Sequence, residues 1–265
     1  MAENIFDLQQ VGFSYRSEGA LFSGLNLTVK PGESICLLGA NGSGKSSLLK
    51  ILCALNYTES GLFRAFGQEI TEKQMENDNF CKGFYRKVGF VFQNSDAQLF
   101  TTRVWDEIAF GPLQIGLSTE EVQSRVNDII QVLQIEHLVD RPPYRLSGGE
   151  KKKVALAAVL VLNPEALILD EPTAGLDPRS QRWLVELLLQ LNSVGRTIII
   201  ATHDLNLAHV LAKRAVLLSE EHKVVFDGST HEAMENTDLL IKVNLIDEFT
   251  HTHEQNEHMH MYIHG

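Results

Sequence analysis

Short apolar segments alternate along this chain with longer stretches whose apolar residues follow helical spacing. Compact runs rich in Ile, Leu and Val have the length of buried strands, and looser alternation near the N-terminus predicts two more strands. The predicted strands are residues 5–15, 25–29, 34–38, 88–92, 166–169 and 197–201. Strands separated by helical segments are typical of a mainly parallel α/β sheet, which is the fold class that the pattern indicates.

The middle of the chain differs, because residues 94–145 contain no convincing strand. Apolar residues there mark one face of a predicted helix, at Val122, Val126, Ile129, Ile130 and Leu133. We therefore expect a helical subdomain at about residues 94–145, inserted into a domain that spans residues 4–240. A hairpin is expected at residues 215–218 and 224–226. Residues 241–265 are predicted to form a C-terminal extension with a histidine-rich end.

Composition narrows the class of protein. The chain has 265 residues, 44% hydrophobic and 22% charged, which is typical of a folded globular protein. Its formal net charge of −11 argues against general nucleic-acid binding, since that requires clustered Lys and Arg. Three cysteines without a CxxC spacing predict a reduced, cytoplasmic setting. The apolar runs are too short to cross a bilayer, so a role at a membrane is expected to come through partner proteins.

Residues 39–46, Gly-Ala-Asn-Gly-Ser-Gly-Lys-Ser, match the phosphate-loop pattern GxxxxGK[ST] between a predicted strand and a predicted helix. Glycines allow backbone N–H groups to converge on phosphate oxygens, and the positive end of the helix dipole favours the same anions. Lys45 is expected to reach the β- and γ-phosphates, and Ser46 to offer a hydroxyl to Mg²⁺. The alternative is an ordinary glycine turn, which the full pattern in this context disfavours.

A second, acidic part of the site is expected because Mg²⁺ prefers carboxylate and water oxygens. The apolar strand at residues 166–169 ends in Asp170-Glu171. We expect Asp170 to hold Mg²⁺ and Glu171 to orient or deprotonate the water that attacks the γ-phosphate. Two acidic residues after a strand can also be a solvated strand end, and the upstream phosphate loop is what favours the catalytic interpretation.

The segment Leu146-Ser147-Gly148-Gly149-Glu150 runs directly into a predicted helix at residues 151–162. A helix N-terminus of this composition is a second anion site, which a single chain with a phosphate loop does not need. It becomes useful when it closes on a nucleotide bound by another copy, so a working dimer is predicted. Locally, Ser147 can also serve as a simple N-cap.

Together these motifs resemble those of ABC ATPases, and the resemblance covers about residues 4–230. It implies a P-loop NTPase fold of the ABC ATPase type, with a mainly parallel sheet, an N-terminal antiparallel β subdomain and an inserted helical subdomain. It also implies ATP and Mg²⁺ as ligands and hydrolysis of ATP to ADP and phosphate. In this family the residues Leu146, Ser147, Gly148, Gly149 and Glu150 form the signature that acts on the partner's ATP, although many members have Gln where this chain has Glu150.

The same resemblance assigns roles to further residues. Tyr15 is expected to stack on adenine, Gln93 to touch Mg²⁺ or the attacking water, and His203 to contact the γ-phosphate. Asp177 is expected at the dimer interface. The ATP-binding set is then Tyr15, Gly39, Asn41, Gly42, Ser43, Gly44, Lys45, Ser46 and Ser47. The catalytic set is Glu171, His203, Lys45 and Gln93, and the Mg²⁺ set is Ser46, Gln93 and Asp170.

Residues 93–112 resemble the corresponding segment in ATPase subunits of energy-coupling-factor importers, which take up vitamins or cobalt and nickel ions. There the segment forms a groove for a helix of the membrane partner. The residues expected to supply its apolar surface, unless they belong to the subdomain core, are Phe100, Val104, Trp105, Ile108 and Phe110. The resemblance implies an integral membrane scaffold and a substrate-binding membrane subunit as partners, a homodimer or heterodimer of ATPase chains, and a location at the cytoplasmic face of the membrane.

The C-terminal residues His251, His253, His258 and His260 are closely spaced among acidic residues. Such imidazoles can bind Ni²⁺, Co²⁺ or Zn²⁺, which favours a cobalt or nickel importer, and a plain solvated tail is the alternative. A vitamin importer, for biotin, riboflavin or folate, stays open. A non-transport ABC ATPase of DNA repair is less favoured, because Lys45 and Ser147 are only about a hundred residues apart without sustained heptads.

Overall fold

The computed structural model describes residues 4–15 and 18–246, and its regular elements follow the chain as two sheets with flanking helices. The strands are β1 (Phe6–Tyr15), β2 (Glu18–Val29), β3 (Ser34–Leu38), β4 (Ser60–Ala65), β5 (Gln68–Glu69), β6 (Val88–Val91), β7 (Ala166–Asp170), β8 (Thr197–Thr202), β9 (Arg214–Leu218) and β10 (Val224–Ser229). The helices are α1 (Lys45–Leu52), α2 (Glu72–Met75), α3 (Asp78–Lys87), α4 (Val104–Gln114), α5 (Thr119–Leu133), α6 (Gly148–Leu160), α7 (Pro178–Ser193), α8 (Leu205–Leu211), α9 (Thr230–Glu235) and α10 (Thr237–Lys242).

The larger sheet has six strands in the order β10-β9-β3-β8-β7-β6. All neighbours in it pair in parallel except β10, which pairs antiparallel with β9. Every residue of β3, β7 and β8 is buried, as expected for strands covered on both faces. The predicted α/β class with a mainly parallel sheet is confirmed.

The smaller sheet is antiparallel, in the order β2-β1-β4-β5, and it confirms the expected N-terminal β subdomain. Side chains of β1 such as Phe6, Leu8 and Val11 pack in one core with the buried face of α1 and one face of the larger sheet. The strand predicted at residues 25–29 begins earlier, at Glu18. Strands β4 and β5 escaped prediction because their sequences mix polar residues without strict alternation.

The other face of the larger sheet carries a second core, beneath α7, α8 and the C-terminal helices. Successive residues of β7 divide between the two cores, since Ile168 faces the first and Leu167 and Leu169 face the second. Cys36 and Cys53 are free and buried, and they pack as small residues in the core. The packing continues past residue 240, because Val243 is fully buried.

A third core lies among α4, α5 and α6, where the predicted helical subdomain is found. The helix predicted from residues 122–133 is α5, and four of its five expected apolar residues are buried while Ile129 is partly buried. Val104 and Ile108 are fully buried in this core. The expectation that these two side chains supply a docking surface is therefore wrong, because they lie one helical turn apart on the inner face of α4. The division at residues 94–145 stays a prediction.

Within the described ranges, none of the helices is both long and apolar enough to span a bilayer. The histidines His251, His253, His258 and His260 lie outside the described residues.

Candidate functional site

The predicted site residues meet at one edge of the larger sheet, although they are far apart in sequence. Strands β3, β8, β7 and β6 are parallel neighbours, so their carboxyl ends lie side by side. The phosphate loop follows β3, Thr202-His203 ends β8, Asp170-Glu171 ends β7, and Gln93 follows β6. The carboxyl edge of a parallel sheet is where such folds bind their ligands.

The phosphate loop ends at Gly44, which is the N-cap of α1 and has φ of 100°, in the left-handed region. Glycine adopts this conformation without the steric penalty of a side chain, so α1 can start directly behind the loop. Lys45 is buried, and its Nζ donates hydrogen bonds to the carbonyl oxygens of Gly39 at 2.7 Å and Ala40 at 3.1 Å. Burial lowers the pKa of Lys45, and the carboxylates Glu171 and Asp170 partly offset that effect.

Glu171 is held in a strained conformation by the end of β8. Its φ is 40°, which is uncommon for a residue with a side chain and is sustained only by surrounding contacts. Thr202 Oγ1 donates to Oε2 of Glu171 at 3.1 Å, and His203 Nδ1 lies 2.8 Å from Oε1. The carboxylate is nearly buried, whereas 59% of the His203 side chain is exposed. The carboxylate of Glu171 is thus held by contacts to Thr202 and His203, while much of the His203 imidazole is exposed to solvent.

Asp170 has the properties of a cation ligand. Its Oδ1 is buried and has no hydrogen-bond partner among the described residues. Burial raises the pKa of Asp170, and the nearby Ser46 hydroxyl and Lys45 ammonium counteract that rise. An oxygen left without a partner, next to a serine hydroxyl, fits Mg²⁺, which prefers hard oxygen ligands. The residues present therefore fit the ion that the motifs imply.

Tyr15 reaches the start of α1 from the smaller sheet. Its hydroxyl lies 3.0 Å from Ser47 Oγ and accepts a hydrogen bond from Asn56 Nδ2 at 3.3 Å. Phe13 packs edge-on against its ring, with centroids 5.0 Å apart. The ring is therefore fixed beside the phosphate loop. Asn56 gave no signal in the sequence, since an isolated asparagine after a helix has many structural roles.

The signature segment forms a capping box at the start of α6. Glu150 N–H bonds to the Ser147 hydroxyl, and both the N–H and the hydroxyl of Ser147 donate to Glu150 Oε2 at 2.8 Å. The predicted N-cap role of Ser147 is confirmed. Ser147 and Gly148 are nonetheless exposed, while Leu146 is anchored in the third core. The helix start faces outward from the chain.

The signature also packs against the segment that contains Asp177. A Cβ on Gly149 would collide with Oγ of Ser180, so only glycine fits at this position without movement. Asp177 caps α7 by accepting bonds from the backbone N–H groups of Arg179 and Ser180. Asp177 is exposed, on the same side as the signature, and its expected place at a dimer interface stays a prediction.

Gln93 is exposed, and its backbone is tied to α6. Lys152, which the sequence did not single out, donates to the carbonyl oxygens of Phe92 and Gln93, both at 3.1 Å. Gln98 accepts from Phe92 N–H and donates to the carbonyl oxygen of Ala155. Thr202 was also missed, because a threonine in an apolar strand predicts only a strand residue.

Two exposed aromatic side chains form a pair beside the start of α4. Phe100 is 66% exposed and Phe110 is 42% exposed, and their rings pack edge-on at 4.9 Å. The buried carboxylate of Glu107 accepts the backbone N–H groups of Phe100 and Thr101, at 3.0 and 2.8 Å. This fixes the backbone that carries Phe100. An apolar surface held in place by a buried carboxylate is a candidate for contact with another protein.

A phosphate loop, a buried aspartate and a restrained glutamate at the edge of a parallel sheet define a P-loop ATPase, and the outward signature places it among the ATP-binding cassettes. Residues 22–174 match the sequence profile of the family described as ABC transporter. This match covers more than half of the chain, which therefore belongs to the ABC transporter family. Within that family the chain is an ATP-hydrolysing subunit.

Two relatives indicate the branch of the family. The chain is 45% identical to the nickel import ATP-binding protein NikO of Rhodobacter capsulatus, over 93% of this chain and 98% of that protein. It is 37% identical to the energy-coupling factor transporter ATP-binding protein EcfA2 of Methanospirillum hungatei, over 92% of this chain and 60% of that protein. Among solved structures, cbiO1 from Clostridium perfringens, part of the ABC transporter complex cbiONQ, superposes with a TM-score of 0.77 and 34% identity, covering 92% of this chain and 95% of that one. The expected resemblance to energy-coupling-factor, nickel-import and cbiO ATPases is confirmed.

Proposed function

We propose that the chain energises an importer of nickel or cobalt ions by closing as a dimer around ATP and reopening after hydrolysis. The observation that carries the proposed dimer is the exposed signature. Ser147 and Gly148 present a helix N-terminus to the outside, whereas the catalytic side chains of the same chain stand at the edge of the larger sheet. An outward anion site of this kind acquires a ligand when a second copy brings its own nucleotide to it.

Hydrolysis follows from the groups at the sheet edge. The phosphate loop and Lys45 bind the triphosphate, Tyr15 stacks on adenine, and Ser46, Asp170 and Gln93 supply oxygen ligands for Mg²⁺. When bound, Mg²⁺ would neutralise part of the negative charge of the phosphates. Glu171, oriented by Thr202 and His203, accepts a proton from the attacking water. His203 then stabilises negative charge on the γ-phosphate from the exposed side.

The dimer can be tested with a substitution on the outward anion surface. Gly148→Asp places a carboxylate there, and a Cβ at this position meets only the carbonyl oxygen of Gly175, at 3.9 Å. In a Glu171→Gln background, which retains ATP, light scattering should show an ATP-dependent doubling of mass. Adding Gly148→Asp should abolish the doubling by repulsion of the second copy's phosphates.

The matched control is Gly83→Asp, at an exposed position of α3 where a Cβ meets nothing within 4 Å. It should leave the ATP-dependent dimer intact. A Glu171→Gln chain that stays monomeric when saturated with ATP, or a Gly148→Asp chain that dimerises like its parent, overturns the proposed dimer, in which the signature of one copy faces the nucleotide of the other.

The aromatic pair of Phe100 and Phe110 supports docking to a membrane partner. The pair is exposed and apolar, Glu107 fixes the backbone at Phe100, and Phe100 follows Gln93 by seven residues along the chain. A helix from an integral membrane scaffold can bury this pair and can move together with the segment that contains Gln93. In this proposal the chain sits at the cytoplasmic face of the membrane, together with a scaffold and a substrate-binding subunit.

Nickel or cobalt as the solute is supported by the similarity to the nickel import protein and to the cassette of the cbiONQ complex. The test is uptake of radioactive nickel and cobalt by cells that carry the parent chain or Lys45→Ala as the only copy. Lys45→Ala should reduce metal uptake to background. Unchanged metal uptake with loss of biotin, riboflavin or folate uptake in the same cells would establish a vitamin importer instead.

A further inference from the structure

A buried lysine joins the signature helix to the end of strand β6. Lys152 is only 2% exposed, although it lies in the first half of α6, between two partly exposed lysines. Its Nζ donates to the carbonyl oxygens of Phe92 and Gln93, both at 3.1 Å. No carboxylate in the described part of the chain forms an ion pair with it. Two backbone carbonyl groups are therefore its direct partners.

A buried lysine without an ion-pair partner is unfavourable for stability, so its presence needs an explanation. Burying an ammonium group without an ion-pair partner costs free energy that two carbonyl bonds recover only in part. Burial lowers the pKa of Lys152 to about 8, with the charge of Asp170 acting in the opposite direction. An apolar side chain at this buried helical position would avoid the desolvation of a charge. The hydrogen bonds at the end of β6 are what this lysine adds.

The neighbouring lysines do not share this contact. Lys151 pairs with Asp96 at 2.6 Å near the surface, and Lys153 lies over the ring of Trp183, 4.7 Å from its centroid. Each of the three lysines thus contacts a different part of the chain. Only Lys152 reaches the backbone at the base of the Gln93 segment.

A second side chain, that of Gln98, also links this backbone to α6. Gln98 Oε1 accepts the N–H of Phe92 at 3.2 Å, and its Nε2 donates to the carbonyl oxygen of Ala155 in α6 at 3.1 Å. Both the N–H and the carbonyl group of Phe92 are therefore tied to α6. The side chain of Gln93 is exposed and has no hydrogen-bond partner among the described residues. Its position is set through its backbone.

We propose that Lys152 is a positioning residue for ATP hydrolysis, which fixes the backbone of Phe92 and Gln93 so that the Gln93 amide reaches the nucleotide of its own chain. The inference rests on the proposed role of Gln93 at the Mg²⁺ and water site. It has one further consequence. Helix α6 presents Ser147 to the nucleotide of the second copy and also holds Gln93 at the nucleotide of its own chain. A shift of α6 caused by one nucleotide therefore moves a side chain that contacts the other nucleotide.

The test compares Lys152→Met with Gln93→Ala and with the double variant. Methionine keeps the buried aliphatic stem and removes the donors. A displaced Gln93 should lower kcat about tenfold and change the KM for ATP less than about twofold, because it acts on the chemical step. If Lys152 acts through Gln93, the double variant should have the kcat of Gln93→Ala alone. If Lys152 has only a structural role, the two substitutions should act independently, and kcat of the double variant should fall by the product of the two single factors.

Lys153→Met is the matched control, since it makes the same substitution at the next residue and removes only a surface cation–π contact. Its kcat should stay within about twofold of the parent, as expected for a surface substitution. If Lys152→Met does not fold, Lys152→Gln replaces it, because glutamine keeps an amide donor. Lys152→Gln should lower kcat partially in the parent chain and should have no effect on kcat in the Gln93→Ala background.

The outcomes separate the two claims. An unchanged kcat in Gln93→Ala overturns the proposed role of Gln93 and the inference with it. If Gln93→Ala lowers kcat, and Lys152→Met lowers kcat by the same factor in the Gln93→Ala chain as in the parent, the positioning role of Lys152 is overturned while the role of Gln93 stands. A parental kcat in the folded Lys152→Met chain does the same.

Discussion

Thr202 Oγ1 donates a hydrogen bond to Oε2 of Glu171 at 3.1 Å, across the boundary between the neighbouring strands β8 and β7. The next residue, His203, places Nδ1 2.8 Å from the other carboxylate oxygen. Two successive residues therefore hold both oxygens of a glutamate whose φ of 40° needs such support. The orientation of the proposed base depends on the end of β8 as much as on its own strand.

Thr202→Val removes the hydroxyl while keeping the shape of the side chain. Loss of a buried hydrogen bond to a charged group is worth about 1.5 kcal/mol, so we expect kcat to fall about tenfold with little change in the KM for ATP. The control is Thr197→Val, at the opposite end of β8, where Oγ1 accepts the N–H of Gly32 at 2.9 Å. Its unfolding midpoint in urea should fall similarly while kcat is retained. If Thr202→Val and Thr197→Val lower kcat equally, the hydrogen bond of Thr202 contributes to stability and not specifically to catalysis.

Tyr15 is predicted to bind adenine through its ring. Tyr15→Phe loses the contacts with Ser47 and Asn56 but keeps the aromatic face, so the Kd for ATP should change less than about twofold. Tyr15→Ala should weaken binding by about 1–2 kcal/mol, or roughly tenfold. Titration with a fluorescent ATP analogue measures both constants. If Phe weakens binding as much as Ala does, the hydroxyl rather than the ring is the important group.

Glu150 introduces a negative charge at the anion-binding start of α6. Bonds from Ser147 lower its pKa, so the side chain is ionised near neutral pH. Glu150→Gln keeps an oxygen acceptor for the capping box and removes repulsion towards a second copy's phosphates. We expect the ATP-bound dimer to tighten about fivefold, or about 1 kcal/mol, with a smaller difference at high salt. Sedimentation in the Glu171→Gln background measures this, and weaker dimers from Glu150→Gln would contradict it.

The aromatic pair gives a test of membrane attachment. Replacing both Phe100 and Phe110 by Ser removes the apolar surface while Glu107 still holds the backbone. The fraction of chain that sediments with membranes should fall at least about tenfold, since aromatic anchors contribute about 2 kcal/mol or more at an interface. Val194→Ser, at an equally exposed apolar residue elsewhere, is the control. Membrane binding unaffected by the double change would place the docking surface elsewhere.

Alkaline pH tests the packing of α3. Burial raises the pKa of Tyr85 to about 12. The unfolded chain loses this proton near pH 10, so the folded state binds more protons between about pH 10 and 12 and stability falls as pH rises through that window. The expected loss is about 2 kcal/mol relative to Tyr85→Phe, measured by urea unfolding at pH 9.5 and 11.5. Parallel pH profiles for the two chains would show that Tyr85 is more exposed than the structure indicates.

Motif spacing and strand patterning predicted the sheet and the residues at its edge. The phosphate loop, Asp170 and Glu171 were predicted partly because each follows a run of apolar residues long enough to be a buried strand. The role expected of His203 came from the resemblance to ABC ATPases, because a lone histidine at the end of a strand is more often structural. Parallel pairing then brings the ends of those strands together. Linear patterning is sufficient where a residue's role depends on its place at the end of a strand.

The supporting contacts were not predictable, because they depend on side chains that meet only in three dimensions. Lys152 follows a signature and has two lysine neighbours, so its sequence context predicts a solvated surface rather than a buried cation. Val104 and Ile108 looked suited to a docking groove, and only the direction of α4 against α5 shows that they are core. Spacing along a helix defines a face but not what that face packs against.

Strand β8 is central in the larger sheet, between β3 and β7, yet it is synthesised after both of them because it spans Thr197–Thr202. While the ribosome is still completing the chain, β3 and β7 have no strand between them and their facing edges are open to other polypeptides. The nucleotide site can therefore be completed only after β8 has been synthesised. Premature termination before β8 should yield an aggregation-prone fragment rather than a partly active enzyme.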